Sequence, residues 1–221
     1  QLVPVVVAVI FTGPLAVTGS AAAAPITATD LDGLTLGAKI VGPVGPEVDT
    51  TFINAAGDGI GDLISSVSCP AGFAGCAPPT NPPGTLYTYQ HRVTPGVDLP
   101  NDPPFPAPGN LVPFDGADRF ALGFGAAGFT GVAGYRFSDA AGVLATGATI
   151  TIEQLAGNNL EWRISPDAGW DTGESITFFW QTTQPPSGPG GQYNLGSALS
   201  GAANGPLPIP VAAVASAQPL A

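Results

Sequence analysis

Between residues 30 and 183 the chain reads as short apolar runs separated by Gly, Pro, Asn and Asp. Runs at 34–41, 48–54, 62–67, 86–93, 119–124, 132–137, 148–155, 160–164 and 175–182 are rich in β-branched and aromatic residues and predict nine strands. No helical period competes with them, because Gly or Pro interrupts nearly every stretch long enough for a helix. The clearest pair is ATITIEQLAGNNLEWRI, where Ile150 and Ile152 share one face of the first strand and Leu160, Trp162 and Ile164 one face of the second. Aligning those faces sets Ile152 opposite Trp162 or Ile164 around an odd-numbered loop at 156–159, a hairpin with a bulge. In SITFFWQT, Ile176, Phe178 and Trp180 alternate inward, so Phe179 on the other face requires a second cover, from the N-terminal strand or another subunit. The pattern predicts an all-β fold, an antiparallel β-sandwich or jelly-roll-like domain at 30–184 between extended segments at 1–29 and 185–221.

The two ends depart from this alternation. Residues 2–24, LVPVVVAVIFTGPLAVTGSAAAA, resemble the apolar region and small-residue cleavage zone of a secretory signal, but no Lys or Arg precedes the apolar run. Pro4, Gly13 and Pro14 bracket a run of eight residues, 5–12, against the roughly 20 that a spanning helix needs, so no transmembrane segment is expected. Val5, Val6, Val7, Val9, Ile10 and Phe11 suit a strand apolar on both faces. Such a strand is either central to its own sheet or an assembly strand added to a neighbouring subunit; a signal or membrane-associated remnant is the third reading. After Glu174 no charged side chain follows, and from Gln184 onward Pro, Gly and Ala predict an adaptable, extended strap. Two further Pro/Gly regions, 69–84 and 94–116, are too long for hairpin loops and suit a surface wall.

Composition narrows the setting. A chain of 221 residues holds one large β domain, and 44% apolar with 10% charged residues argues against disorder. Five basic against 16 acidic residues leave no basic stripe for nucleic acid. Cys69 and Cys76, with six residues between them, supply too few ligands for zinc and the wrong spacing for a redox pair. A short-range disulfide is expected, and with it an oxidising, secreted, extracellular or cell-surface location.

Residue patterns that carry chemistry are few, and the chain is not expected to be an enzyme. The single histidine, His91 in YTYQHRV, has no nucleophile elbow to serve, and neither a Walker loop nor HExxH occurs. Glu153, Glu161, Asp167, Asp171 and Glu174 surround Trp170 and offer carboxylates for a glycosidase pair; the plainer reading is a solvated strand face and turn residues. INAAGDGIGDLI resembles the core of calcium-binding Asp-rich repeats of the thrombospondin type 3 kind, with Asn54, Asp58 and Asp62 as Ca²⁺ ligands; the alternative is an Asp-Gly turn before a strand. Apart from Ca²⁺, no cofactor is expected. Tyr87, Tyr89 and Trp170 are candidates for a sugar-stacking platform, with core packing as the alternative.

The run WDTGESITFFWQTTQPPSGPGGQYNL, followed by GPLPIPVAA, resembles bacterial exosortase-sorted surface proteins of the PEP-CTERM type, in which a β-rich secreted domain precedes a Pro-flanked sorting signal. The resemblance spans roughly residues 160–213, and at 206–210 Pro-Leu-Pro-Ile-Pro lacks the acidic residue of the usual motif. It implies a location at the cell surface or in the extracellular matrix rather than an activity. The leading expectation is a structural subunit of an extracellular filament or surface layer, a polymer of itself assembled through its terminal segments. The alternative is a cell-surface carbohydrate- or calcium-binding module with surface polysaccharide as partner.

Overall fold

A computed structural model of the chain describes residues 23–40, 45–73, 75–77, 81–166, 170–197 and 200–208. The assembly strand expected at Val5, Val6, Val7, Val9, Ile10 and Phe11 lies outside the described residues, as do Asp167 and residues 209–221. The elements in chain order are β1 (Ala24–Ile26), β2 (Thr29–Asp30), β3 (Leu36–Lys39), β4 (Val48–Asn54), β5 (Gly59–Pro70), β6 (Tyr87–Pro95), β7 (Arg119–Leu122), β8 (Phe129–Tyr135), α1 (Phe137–Val143), β9 (Thr149–Gln154), β10 (Leu160–Ser165), β11 (Ile176–Thr182), β12 (Gly191–Gly196) and β13 (Ser200–Gly205). Each of the nine predicted strands is present, and the fold is all-β.

The strands form one sheet in the order β1-β9-β10-β7-β12-β13-β4-β5-β6-β11-β8-β2, with β3 paired to β5 off this path. All strand pairings are antiparallel except β2 with β8. The sheet curls until its two halves face each other across one core. Phe120 of β7 stacks on Phe178 of β11 with ring centroids 4.9 Å apart, and His91 of β6 lies 4.3 Å from the Tyr193 ring of β12. Trp162 Nε1 of β10 donates to the carbonyl of Gly134 in β8 at 2.9 Å, a fully buried tie between the halves. Residues that alternate inward on β6 and β11, including Tyr89, Val93, Ile176, Phe178 and Trp180, are completely buried. The period-2 apolar pattern therefore becomes the packed face.

Register follows the apolar faces. Trp162 pairs with Ile152 and Ile164 with Ile150, around a five-residue loop closed by Leu155 N–H on Asn159 O at 2.8 Å. Gly157 and Asn158 take positive φ there, at 83° and 63°, as an odd-numbered loop demands. The cover over Phe179 comes from the same chain. Its ring lies against Gly134, whose position for a Cβ is 2.7 Å from Phe179 Cε1 and overlaps the Thr29 carbonyl of β2.

Three expectations are corrected. The described part of the C-terminal segment is not a strap: β12 and β13 form a hairpin in the middle of the sheet, between β7 and β4. Its small residues answer to close packing rather than to extension. A Cβ at Gly205 would meet the Tyr193 ring at 2.6 Å, and one at Gly201 would meet Ile53 O and Ile60 Cδ1 at 2.9 Å. A helix, α1, follows β8, which ends two residues earlier than expected; seven residues are too few to show a period in a sequence with Gly142 near the end. Finally, residues 24–30 do not stand apart from the domain. β1 holds one edge of the sheet and β2 the other, so this short stretch spans the seam where the curled sheet meets itself.

Candidate functional site

The outer face of β4, β5, β6 and β11 is polar because the same alternation that sends Tyr89, His91 and Val93 inward sends Gln90, Arg92 and Thr94 outward. Cross-strand pairing lines up Asp49, Ile64, Arg92 and Thr177 in one row. Lys39 of β3 and Arg136, whose N–H bonds Thr177 O at 2.8 Å, approach this row from its two sides. Together with Glu47, Ser66 and Gln90 they line an open recess of about 190 Å³. Three of the chain's five basic residues thus meet in one hollow of a protein with a net charge of −11.

The three cations are not equally engaged. Lys39 pairs with Glu47. Arg136 donates from Nε to Asp32 Oδ1 at 2.9 Å and lies 3.7 Å from Asp139. The Arg92 side chain is exposed and, among the described residues, forms neither an ion pair nor a hydrogen bond. Gln90 donates to Ser68 Oγ at 3.0 Å, and Thr177 Oγ1 accepts from Arg136 at 3.4 Å. Ile64 is the one apolar side chain of the lining.

Beside this recess the Pro-rich loop after β6 folds back over β4 and β5. Asp49 and Asp102 exchange two bonds, Asp49 N–H to Asp102 Oδ2 at 3.1 Å and Asp102 N–H to Asp49 O at 2.9 Å. Thr51 Oγ1 donates to Asp98 at 2.6 Å, and Leu99 N–H donates to Asp62 Oδ1 at 3.2 Å. Burial under this loop pushes the Asp62 carboxyl up to about 6, opposed by the Leu99 bond and reinforced by Asp49 and Asp98. Asp49 is raised by burial, Asp102 and Glu47, while Arg92 pulls it back.

His91 is sealed in the core. Trp180 Nε1, which can only donate, points at His91 Nε2 at 3.2 Å, so Nε2 accepts and Nδ1 carries the proton toward Ser65 Oγ at 3.0 Å. Burial holds its pKa down to about 3. The ring nitrogen that would serve as a base is taken by an indole, and Ser65 Oγ accepts a hydrogen bond from Nδ1–H instead of donating one to the ring. This Ser–His contact is structural.

The other candidates separate. Tyr87, Tyr89 and Trp170 are buried, which corrects the sugar-platform expectation: Tyr89 packs at a tilt against Trp180 with ring centroids 4.5 Å apart, Tyr87 Oη accepts from Asn81, and Trp170 Nε1 donates to Glu174 O at 3.0 Å. Asn54 Oδ1 accepts from the N–H groups of Ala56 and Asp58 at 2.9 and 3.0 Å, the arrangement of an Asx turn. Asp58 accepts from Asn110 at 3.2 Å, while Asp62 points under the Pro-rich loop. The structure does not bring Asn54, Asp58 and Asp62 to one point, and among the described residues no group of three His, Cys, Asp or Glu is placed to hold a metal ion. Glu161 is held by Arg163 at 2.6 Å; Asp171 and Glu174 bond backbone N–H groups of turns. Cys69 and Cys76 form the expected disulfide, and no helix of the described residues is long and apolar enough to cross a membrane.

Sequence reasoning missed the recess because its cations come from three separate stretches, each unremarkable alone. The readable signal was outward alternation of Gln90 and Arg92 in a chain nearly devoid of basic residues. Compared with protein-family models, with curated proteins and with solved structures, the chain gives no match.

Proposed function

We propose that this chain is a non-catalytic structural subunit of an extracellular filament or surface layer that assembles with copies of itself through its terminal segments. The observation that carries the reading is the seam of the sheet. β1 pairs with only the last three residues of β9, Ile152 to Gln154, and β2 with only Gly134 and Tyr135 of β8. Among the described residues, 149–151 and 129–133 therefore carry no strand on their outer edge. An unpaired edge is a template for strand addition. The chain's most strand-prone segment, residues 5–11, comes before β1 in the sequence, and β1 is one of the two strands of the seam. The disulfide and the resemblance at 160–213 support an exterior location.

The test is deletion of residues 1–22 followed by sedimentation and negative-stain imaging. Loss of polymer with an unchanged near-UV spectrum from the buried tryptophans is expected. Polymers of unchanged length overturn the proposal.

A further inference from the structure

The recess beside Arg92 has no part in the assembly reading, and its chemistry is distinct from the rest of the surface. We infer that it is a binding site for a carboxylated sugar, with Arg92 as the anchor of the carboxylate. Charge comes first. The lining carries Lys39, Arg92 and Arg136 against Glu47, and Asp32, Asp139 and Asp49 lie just outside it, so the local charges nearly balance and what matters is which cation is left without an acid in contact. Lys39 and Arg136 are already engaged by acids, Glu47 for the one, Asp32 and Asp139 for the other. Asp49, one strand further along the row, pulls on Arg92 from a distance but does not pair with it. The Arg92 guanidinium is left with its planar fork of donors for a carboxylate from outside.

The rest of the lining selects what carries that carboxylate. Ser66, Gln90 and Thr177 offer hydroxyl and amide groups, and Ile64 is a single apolar spot beneath them. A polyhydroxylated ring satisfies such a surface, whereas a peptide would bring apolar side chains with nowhere to bury them. At about 190 Å³ the recess is smaller than the roughly 300–1,000 Å³ of sites that engulf a drug-sized ligand. It fits one sugar unit of a chain that continues across the surface.

The experiment titrates the full chain with a galacturonic acid trimer, its methyl-esterified form and a short polyglutamate peptide, using calorimetry at fixed salt. Saturable binding of the acidic trimer alone is expected. Arg92→Gln, an exposed change whose folding is checked by near-UV spectrum, should weaken binding about ten-fold or more. Glu47→Gln, which releases Lys39, should strengthen it. Absence of trimer binding, equal binding of the ester, or indifference to Arg92→Gln overturns the carboxylate anchor. Polyglutamate binding as tight as the trimer overturns the assignment to a sugar.

Discussion

At the scale of single residues, two buried groups set opposite pH dependences. His91 stays neutral in the fold with a pKa near 3, against 6.5 when unfolded. As pH falls below 6.5 the unfolded chain takes up the proton first, so stability present above that pH is lost progressively toward pH 3. Asp62 has the reverse sign: its pKa rises from 3.8 to about 6, so stability present below 3.8 is lost as pH rises through 6. Between pH ~4 and ~6 the two slopes oppose each other, each about 1.4 kcal/mol per pH unit. Asp62→Asn keeps an oxygen for the Leu99 N–H and removes one slope. Urea titrations across that range should show the variant gaining about 1.4 kcal/mol per pH unit relative to the parent. A difference that does not change with pH would mean that Asp62 is ionised under its loop. None of this was readable from the chain, since Asp62 reads as a turn or calcium residue until the Pro-rich loop is seen to cover it.

Among elements, β2 is two residues long yet holds an edge of the sheet and the cover over Phe179. Its seat depends on Gly134, where a side chain would overlap the Thr29 carbonyl. Gly134→Ala should cost about 1–3 kcal/mol, the usual penalty for forcing a methyl into packed surroundings. Gly142→Ala in α1 meets nothing within 4 Å and should stabilise by about 0.5–1 kcal/mol. Chemical denaturation of the pair checks both signs, and a neutral Gly134→Ala would place β2 away from β8. The nine strands with strong alternation were legible because each carries its own apolar face. β12 and β13 were not, since the two strands have only Tyr193 and Leu195 as large apolar side chains and gain their pairing from neighbours distant in sequence.

For the whole molecule, that hairpin is decisive. It joins β7 to β4 and thereby links the two facing halves of the sheet, with Tyr193 and Leu195 fully buried between them. A chain ending at residue 190 should fail to show cooperative unfolding or a near-UV signal; a truncated protein that folds would return residues 191–205 to the status of an appendage. The sequence alone determined the all-β class, the disulfide, the inward face of β11 and a β9–β10 hairpin with Ile152 opposite either Trp162 or Ile164, of which the structure has Trp162. Those follow from local alternation and from cysteine spacing, which need no knowledge of distant partners. Only the tertiary structure decided that the sheet closes through residues 24–30, that the tyrosines and Trp170 are core, and that Lys39, Arg92 and Arg136 share one recess. Each of these depends on which strands become neighbours, and strand order is set by packing between segments far apart in the chain, on which local pattern is silent.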